Sequence, residues 1–317
     1  MNVQRNLLLL LILAAVASPA SGQQAAPASE KANSGSEGAA SIPDFSGIWR
    51  HGSLPWFVPP ASGPGPVTNR SRRKDNGVSN YSELVGDYTN PILQPWAAEV
   101  VKKKGDLSLA GVTYPNPANE CWPEPVPFLF KHMAMQMLQR PDKIVMLFNE
   151  DHEVRYVRMN QAHPAQVTPS WSGDSVGHYE GDTLVIDTVG IKTGPYTMVD
   201  QFGTPHTEAL HVIERYRLID YQAAMQALER GAKENANMIG NDSGVVTDLN
   251  DKGKHMQLEI TVEDPGAFTT PWSATVIYRP GVSAYGASSD FPEAVCAENP
   301  HELARQAGVP TAEKSDF

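Results

Sequence analysis

Apolar and polar residues alternate with a period of two over much of the chain beyond residue 140, and that period predicts strands. Residues 143–148, Lys-Ile-Val-Met-Leu-Phe, and 153–159, Glu-Val-Arg-Tyr-Val-Arg-Met, flank a hairpin loop at Asn149-Glu150-Asp151-His152. Residues 171–187 read as a second hairpin. Its turn is Glu180-Gly181-Asp182, where Gly supplies positive φ and Asp can bond its own backbone. Its second arm, 183–189, is β-branched and stops at Gly190, a strong strand pattern. Further strands are predicted over 209–218, 255–262 and 272–278, with a short one carrying aromatic anchors at 43–49. The helical period of 3.6 appears twice. Over 92–104, Trp96, Val100 and Val101 mark one face, and Lys102-Lys103-Lys104-Gly105 reads as a helix carboxyl terminus. Residues 221–237 are rich in Ala, Gln and Glu at helical spacing. Residues 51–90, with many Pro, Gly, Asn and Ser, read as a long loop over the body, and 240–253 as an Asp/Asn/Gly loop.

Strands and helices do not alternate as a parallel sheet requires. Closely spaced hairpins instead predict a mainly β fold. The expectation is an antiparallel barrel, calycin- or lipocalin-like, with a few peripheral helices and long amino-terminal loops, forming one domain over 43–300. Ahead of it, Arg5, an apolar run over 7–17 and small residues up to Gly22 read as a signal peptide spanning 1–22. The run is shorter than the roughly 20 residues that span a bilayer. Residues 23–42 read as a disordered linker and 301–317 as a tail. Export to the periplasm or medium follows, with no membrane anchor after cleavage. In that oxidising setting the two cysteines, Cys121 and Cys296, are expected to pair. The tail from Tyr285 would then lie against the segment around Trp122.

A net charge of −11 opposes nucleic acid as a partner. The single basic cluster, residues 70–74, lies in a Pro/Gly/Asn-rich stretch without interleaved aromatics and reads as a solvated loop.

Trp171-Ser172-Gly173-Asp174-Ser175, Glu180-Gly181-Asp182-Thr183-Leu184-Val185, Leu210-His211-Val212-Ile213-Glu214-Arg215, and Thr261-Val262-Glu263-Asp264-Pro265 to Pro271-Trp272 are distinctive. In these motifs the chain resembles a group of exported, hypothetical bacterial proteins from residue 44 to about 299. The resemblance implies export and one domain, and carries over no catalytic role.

The first arm of the 171–187 hairpin holds an acid, a hydroxyl and an imidazole within five positions: Asp174, Ser175 and His178. Strand alternation places Leu210, Val212, Glu214, Tyr216 and Leu218 on one face and His211, Ile213, Arg215 and Arg217 on the other. Neither face is wholly apolar, so some charged groups face a cavity or pair with each other. The leading expectation is a pocket for a small apolar or aromatic ligand or substrate, with cofactor-independent acid–base chemistry of lyase, decarboxylase or isomerase type. His211, His178, Asp174, His163 and Arg155 would line one cavity walled by Trp171, Tyr156 and Trp272. A non-catalytic carrier using the same pocket is the second reading. Ester hydrolysis by Ser175, within the letter match Gly173-Asp174-Ser175-Val176-Gly177, is the third, although a nucleophile elbow needs a strand-turn-helix setting. No cofactor fingerprint is present. His206, Glu208 and His211 lack zinc-site spacing, and Asp242, Asp248, Asn250 and Asp251 lack an EF-hand register. The ligand's identity and the oligomeric state have no readable motif.

Overall fold

The computed structural model describes residues 42–52, 57–132, 134–149, 151, 153–231, 245–246, 252–283 and 295–296. The expected signal peptide, most of the linker, the 301–317 tail and the path from Tyr285 lie outside them, as do most of 232–251.

Nine strands close a barrel. In chain order they are β1 (Gly47–Arg50), β2 (Ala134–Gln139), β3 (Lys143–Phe148), β4 (Val154–Met159), β5 (Asp174–Glu180), β6 (Thr183–Val189), β7 (His211–Ile219), β9 (His255–Glu263) and β10 (Trp272–Pro280). They neighbour one another in that same order, and β1 closes the ring between β10 and β2. β8 (Val245–Val246) and β11 (Val282–Ser283) form a separate two-stranded sheet. Every barrel junction is antiparallel except β4–β5, which is parallel with only two registered pairs, Arg158↔Val176 and Met159↔Gly177. The antiparallel expectation is corrected at that one seam. Residues 160–173 carry the chain back along the barrel, so β5 starts beside β4 running the same way. Alternation cannot reveal this, because a strand's pattern is the same in either direction.

Alternate residues point inward and build the core. Met135, Met137, Ile144, Met146, Val157, Leu184, Ile186, Val212, Leu258, Ile260 and Val262 are all buried in one cluster. One polar group sits among them. Arg155 of β4 reaches across the barrel to Glu214 of β7, with Nη1–Oε2 at 2.8 Å and Nη2–Oε1 at 2.6 Å, both side chains fully buried. Arg155 also donates to Ser175 and Thr188, and the Tyr216 hydroxyl donates to Glu214 at 2.8 Å. A buried charge pair survives only when hydrogen bonds satisfy its remaining atoms, and here they do.

Helix α1 (Pro95–Leu109) begins at a proline in its first turn and buries Ala97, Val101 and Gly105, one per turn. It does not stop at Gly105 as expected. Gly105 packs against Val85, and the helix runs on to Leu109. Trp96, expected on the packed face, is exposed and donates its indole N–H to the Gly266 carbonyl. Helix α2 (Tyr221–Arg230) is capped by the Asp220 carboxylate, which accepts from the Ala223 N–H. No helix among the described residues is long and apolar enough to cross a membrane.

Cys121 and Cys296 are joined by a disulfide. Such a bond fits an oxidising compartment.

Candidate functional site

The segment between β4 and β5 is fixed by glycine. Gly173 has φ +70°, and an added Cβ would stand 2.7 Å from Thr188 Cγ2 and 2.8 Å from the Val189 carbonyl oxygen. Gly177 points into the barrel, where a Cβ would meet Met159 Sδ at 2.9 Å. Both glycines of the Gly-x-Ser-x-Gly match are therefore steric requirements of the fold. The serine between them, Ser175, is buried, accepts from Arg155 and has the Thr188 hydroxyl 3.0 Å away. Among the described residues its partners are thus those of the interior charge pair and not the imidazole that the ester-hydrolysis reading needs. Gly173→Ala should destabilise the protein by about 2 kcal/mol or more, combining left-handed strain with overpacking. Chemical denaturation measures this, and a change within about 0.5 kcal/mol, typical of a neutral surface substitution, contradicts it.

The Gly173 turn forms one wall of a groove of about 550 Å³ on the outside of the barrel. Tyr156, Val154 and Arg158 on the outer face of β4 form another wall, and Pro123, Glu153 and Trp171 complete it. Tyr156 is 63% exposed, too much for a core residue. Trp171 is held by an edge contact with Trp122 at 5.6 Å, and Lys192 Nζ lies 5.4 Å from its ring centre. Trp122 in turn packs edge-on against Tyr196 and adjoins Cys121 of the disulfide.

Two ionisable networks meet at this groove. The first crosses the outer face of five strands. Arg158 grips Asp174 with two bonds of 2.8 and 2.9 Å. His163, from the β4–β5 connection, places Nδ1 2.6 Å from Asp174 and Nε2 2.9 Å from Asp187. His211 places Nε2 3.1 Å from Asp187 and Nδ1 3.3 Å from Glu263. Arg158, followed by His163, holds the Asp174 carboxyl below the usual carboxylate range, against the opposing effect of burial. Burial disfavours the charged form of His163, but the two aspartates outweigh it and raise its pKa above the ordinary value. Each imidazole has both nitrogens turned to carboxylates. A catalytic histidine needs one nitrogen facing substrate, so this chain is an electrostatic strap across the short parallel seam.

The second network lies at the barrel end. Glu124 accepts from Lys131 at 3.1 Å and pairs with His132 Nε2 at 2.9 Å, all three side chains at most 9% exposed. The Glu124 backbone N–H donates to Glu153 Oε1 at 2.7 Å. Burial pushes the Glu153 carboxyl up to about 8. The charges of Glu124 and Asp151 add to that effect, while the Glu124 N–H and Lys131 oppose it. Glu153 thus stays protonated in the folded protein at pH values where the unfolded chain, at 4.5, has released its proton. This contribution is complete below the unfolded value and lost as pH rises through about 8. Stability should accordingly fall by on the order of 2–4 kcal/mol from about pH 5 to about pH 9. The fall should be smaller in Glu153→Gln, whose amide does not titrate. Identical pH profiles for the two proteins contradict the assignment.

The expected single cavity does not form. Asp174, His163 and His211 do come together, but on the outer face and joined through Asp187, which sequence reasoning missed. His178 lies on the same outer face further along β5, half exposed and paired with Glu180. Arg155 and Trp272 point into the barrel. Tyr156 and Trp171 share the groove with Asp174 as its rim. Glu153, Glu124, Lys131 and His132 were also missed. They lie beside strand ends, in irregular chain and, for Lys131, at the end of a one-turn 3-10 helix, where no periodicity marks them. Their one signal is charge set into an apolar stretch, Glu124-Pro-Val-Pro-Phe-Leu-Phe-Lys131-His132. Among the described residues, no group of three His, Cys, Asp or Glu is placed to hold a metal ion.

No protein-family model, no curated protein and no solved structure matches the chain. The fold and this groove define the molecule as a β-barrel protein with an aromatic-walled surface groove.

Proposed function

We propose that the protein is an exported binding protein that holds a small ring-bearing molecule in the groove, against Tyr156 and Trp171. The observation that carries this is an exposed tyrosine beside a tryptophan fixed by Trp122, at a groove within the roughly 300–1,000 Å³ range of small-molecule sites. Aromatic side chains that give flat apolar area at low entropy cost are common binding anchors. The interior offers less at the level of Arg155 and Glu214, where side chains fill it. Export is supported by the apolar run at 7–17, by the disulfide and by the resemblance to exported bacterial proteins.

A second reading, cofactor-independent acid catalysis in the same groove, has one observation in its favour. Glu153 is a carboxylic acid kept protonated toward neutral pH, as general acids are. The histidines do not support it.

Titration calorimetry with cyclic ligands tests the binding reading. Tyr156→Ala and Trp171→Ala should each weaken binding about ten-fold or more, with thermal melting confirming that both variants fold. Binding that neither variant alters contradicts the proposal.

A further inference from the structure

We propose that the groove's ligand is an uncharged saccharide, its ring stacked on Tyr156 and Trp171 and its hydroxyls paired with Glu153, Ser172 and Arg158. The inference rests on the groove being the binding site and adds the chemical class.

Charge balance is the first argument. Arg158 and Asp174 are joined by two hydrogen bonds and cancel each other. Glu153 is largely buried and uncharged up to about pH 8, with Glu124 and Asp151 making ionisation harder. Among these three groups neither an anion nor a cation finds an unpaired counter-charge, and a neutral molecule needs none.

Unspent polar atoms are the second. Among the described residues, Glu153 Oε2, Ser172 Oγ and Arg158 Nε carry no hydrogen bond, while their residues line the groove. A flat hydrocarbon would cover these atoms and leave them unpaired, which costs more than the contact returns. A polyhydroxylated ring carries a donor and an acceptor on each hydroxyl and can pair with all three.

The third is shape. Saccharide rings present C–H faces to aromatic planes and hydroxyls at their edge. The groove lining offers both kinds of surface, the aromatic side chains of Tyr156 and Trp171 and the polar groups of Glu153, Ser172, Arg158 and Asp174.

The test is titration calorimetry of the mature full-length protein with cello-, xylo-, malto- and chito-tetraose, with trigalacturonate as the anionic control and 2-naphthol as the flat aromatic control. The expected result is saturable binding of at least one neutral tetraose, clearly tighter than either control. Tyr156→Ala should weaken it about ten-fold. Glu153→Ala should weaken it comparably, and Glu153→Gln, which keeps an uncharged donor and acceptor, should restore most of the loss. No binding of any neutral tetraose, or binding that Tyr156→Ala leaves unchanged, overturns the inference. If 2-naphthol alone binds in a Tyr156-dependent way, the saccharide class fails while the groove remains the binding site. If no probe shows Tyr156-dependent binding, both fail.

Discussion

Glu214→Leu is expected to destabilise the protein by about 3–5 kcal/mol, the cost of leaving a buried charge without its partner. Arg155 would keep its guanidinium at the centre of the barrel with only Ser175 and Thr188 as acceptors, and Tyr216 would lose the acceptor 2.8 Å from its hydroxyl. Strand alternation forces this arrangement. Residues 155 and 214 sit at inward positions of β4 and β7, strands that are not neighbours, so the pair spans the interior. Arg155→Met combined with Glu214→Leu removes both charges and should recover most of the loss, since apolar replacements of a whole buried pair are often neutral or better. Chemical denaturation of the single and double variants reads this directly. A single variant within about 1 kcal/mol of wild type would mean that the charge is not buried as described.

Removing the disulfide is expected to have the next largest effect. Cys121 and Cys296 are 175 residues apart, and closing a loop of that length restricts the unfolded chain by up to about 5 kcal/mol. Cys121→Ser with Cys296→Ser should lower stability toward that limit, and reductant should do the same to the wild type. Peptide mapping without reductant should find the two cysteines in one linked pair. A loss below about 1 kcal/mol would show that the unfolded chain is barely restricted by the bond.

Much of the barrel was legible because β3, β4, β7 and β9 alternate with a period of two. Alternation separated 212, 214, 216 and 218 from 211, 213, 215 and 217 on β7, but the expected cavity role of His211 took the outward set for the inward one, whereas the Glu180-Gly181-Asp182 turn fixed the β5–β6 hairpin. β2, Ala-Met-Gln-Met-Leu-Gln, carries no β-branched residue and takes its structure from β1 and β3 on either side. The end of α1 was misplaced because three lysines and a glycine resemble a helix terminus, whereas Gly105 serves close packing against Val85. At the site, the same period of two that located the strands also ruled out the expected cavity. Arg155 and Tyr156 are adjacent in one strand and must face opposite sides of the sheet. The groove reached the sequence reading through Tyr156, Trp171 and Asp174, all three of which line it. Its acid, Glu153, is defined mainly by burial and by Glu124, a neighbour only in the folded chain, with Asp151 two residues away adding to the effect.

The central claim is that the outer groove, rather than the barrel interior, holds the ligand. Native mass spectrometry of the protein isolated from its own compartment tests it most directly, comparing wild type with Tyr156→Ala combined with Trp171→Ala. The wild type should carry a small-molecule adduct that the double variant lacks, while both keep the Cys121–Cys296 bond and a cooperative melting transition. An adduct that persists undiminished on the double variant, or a wild-type protein that carries none, contradicts the account.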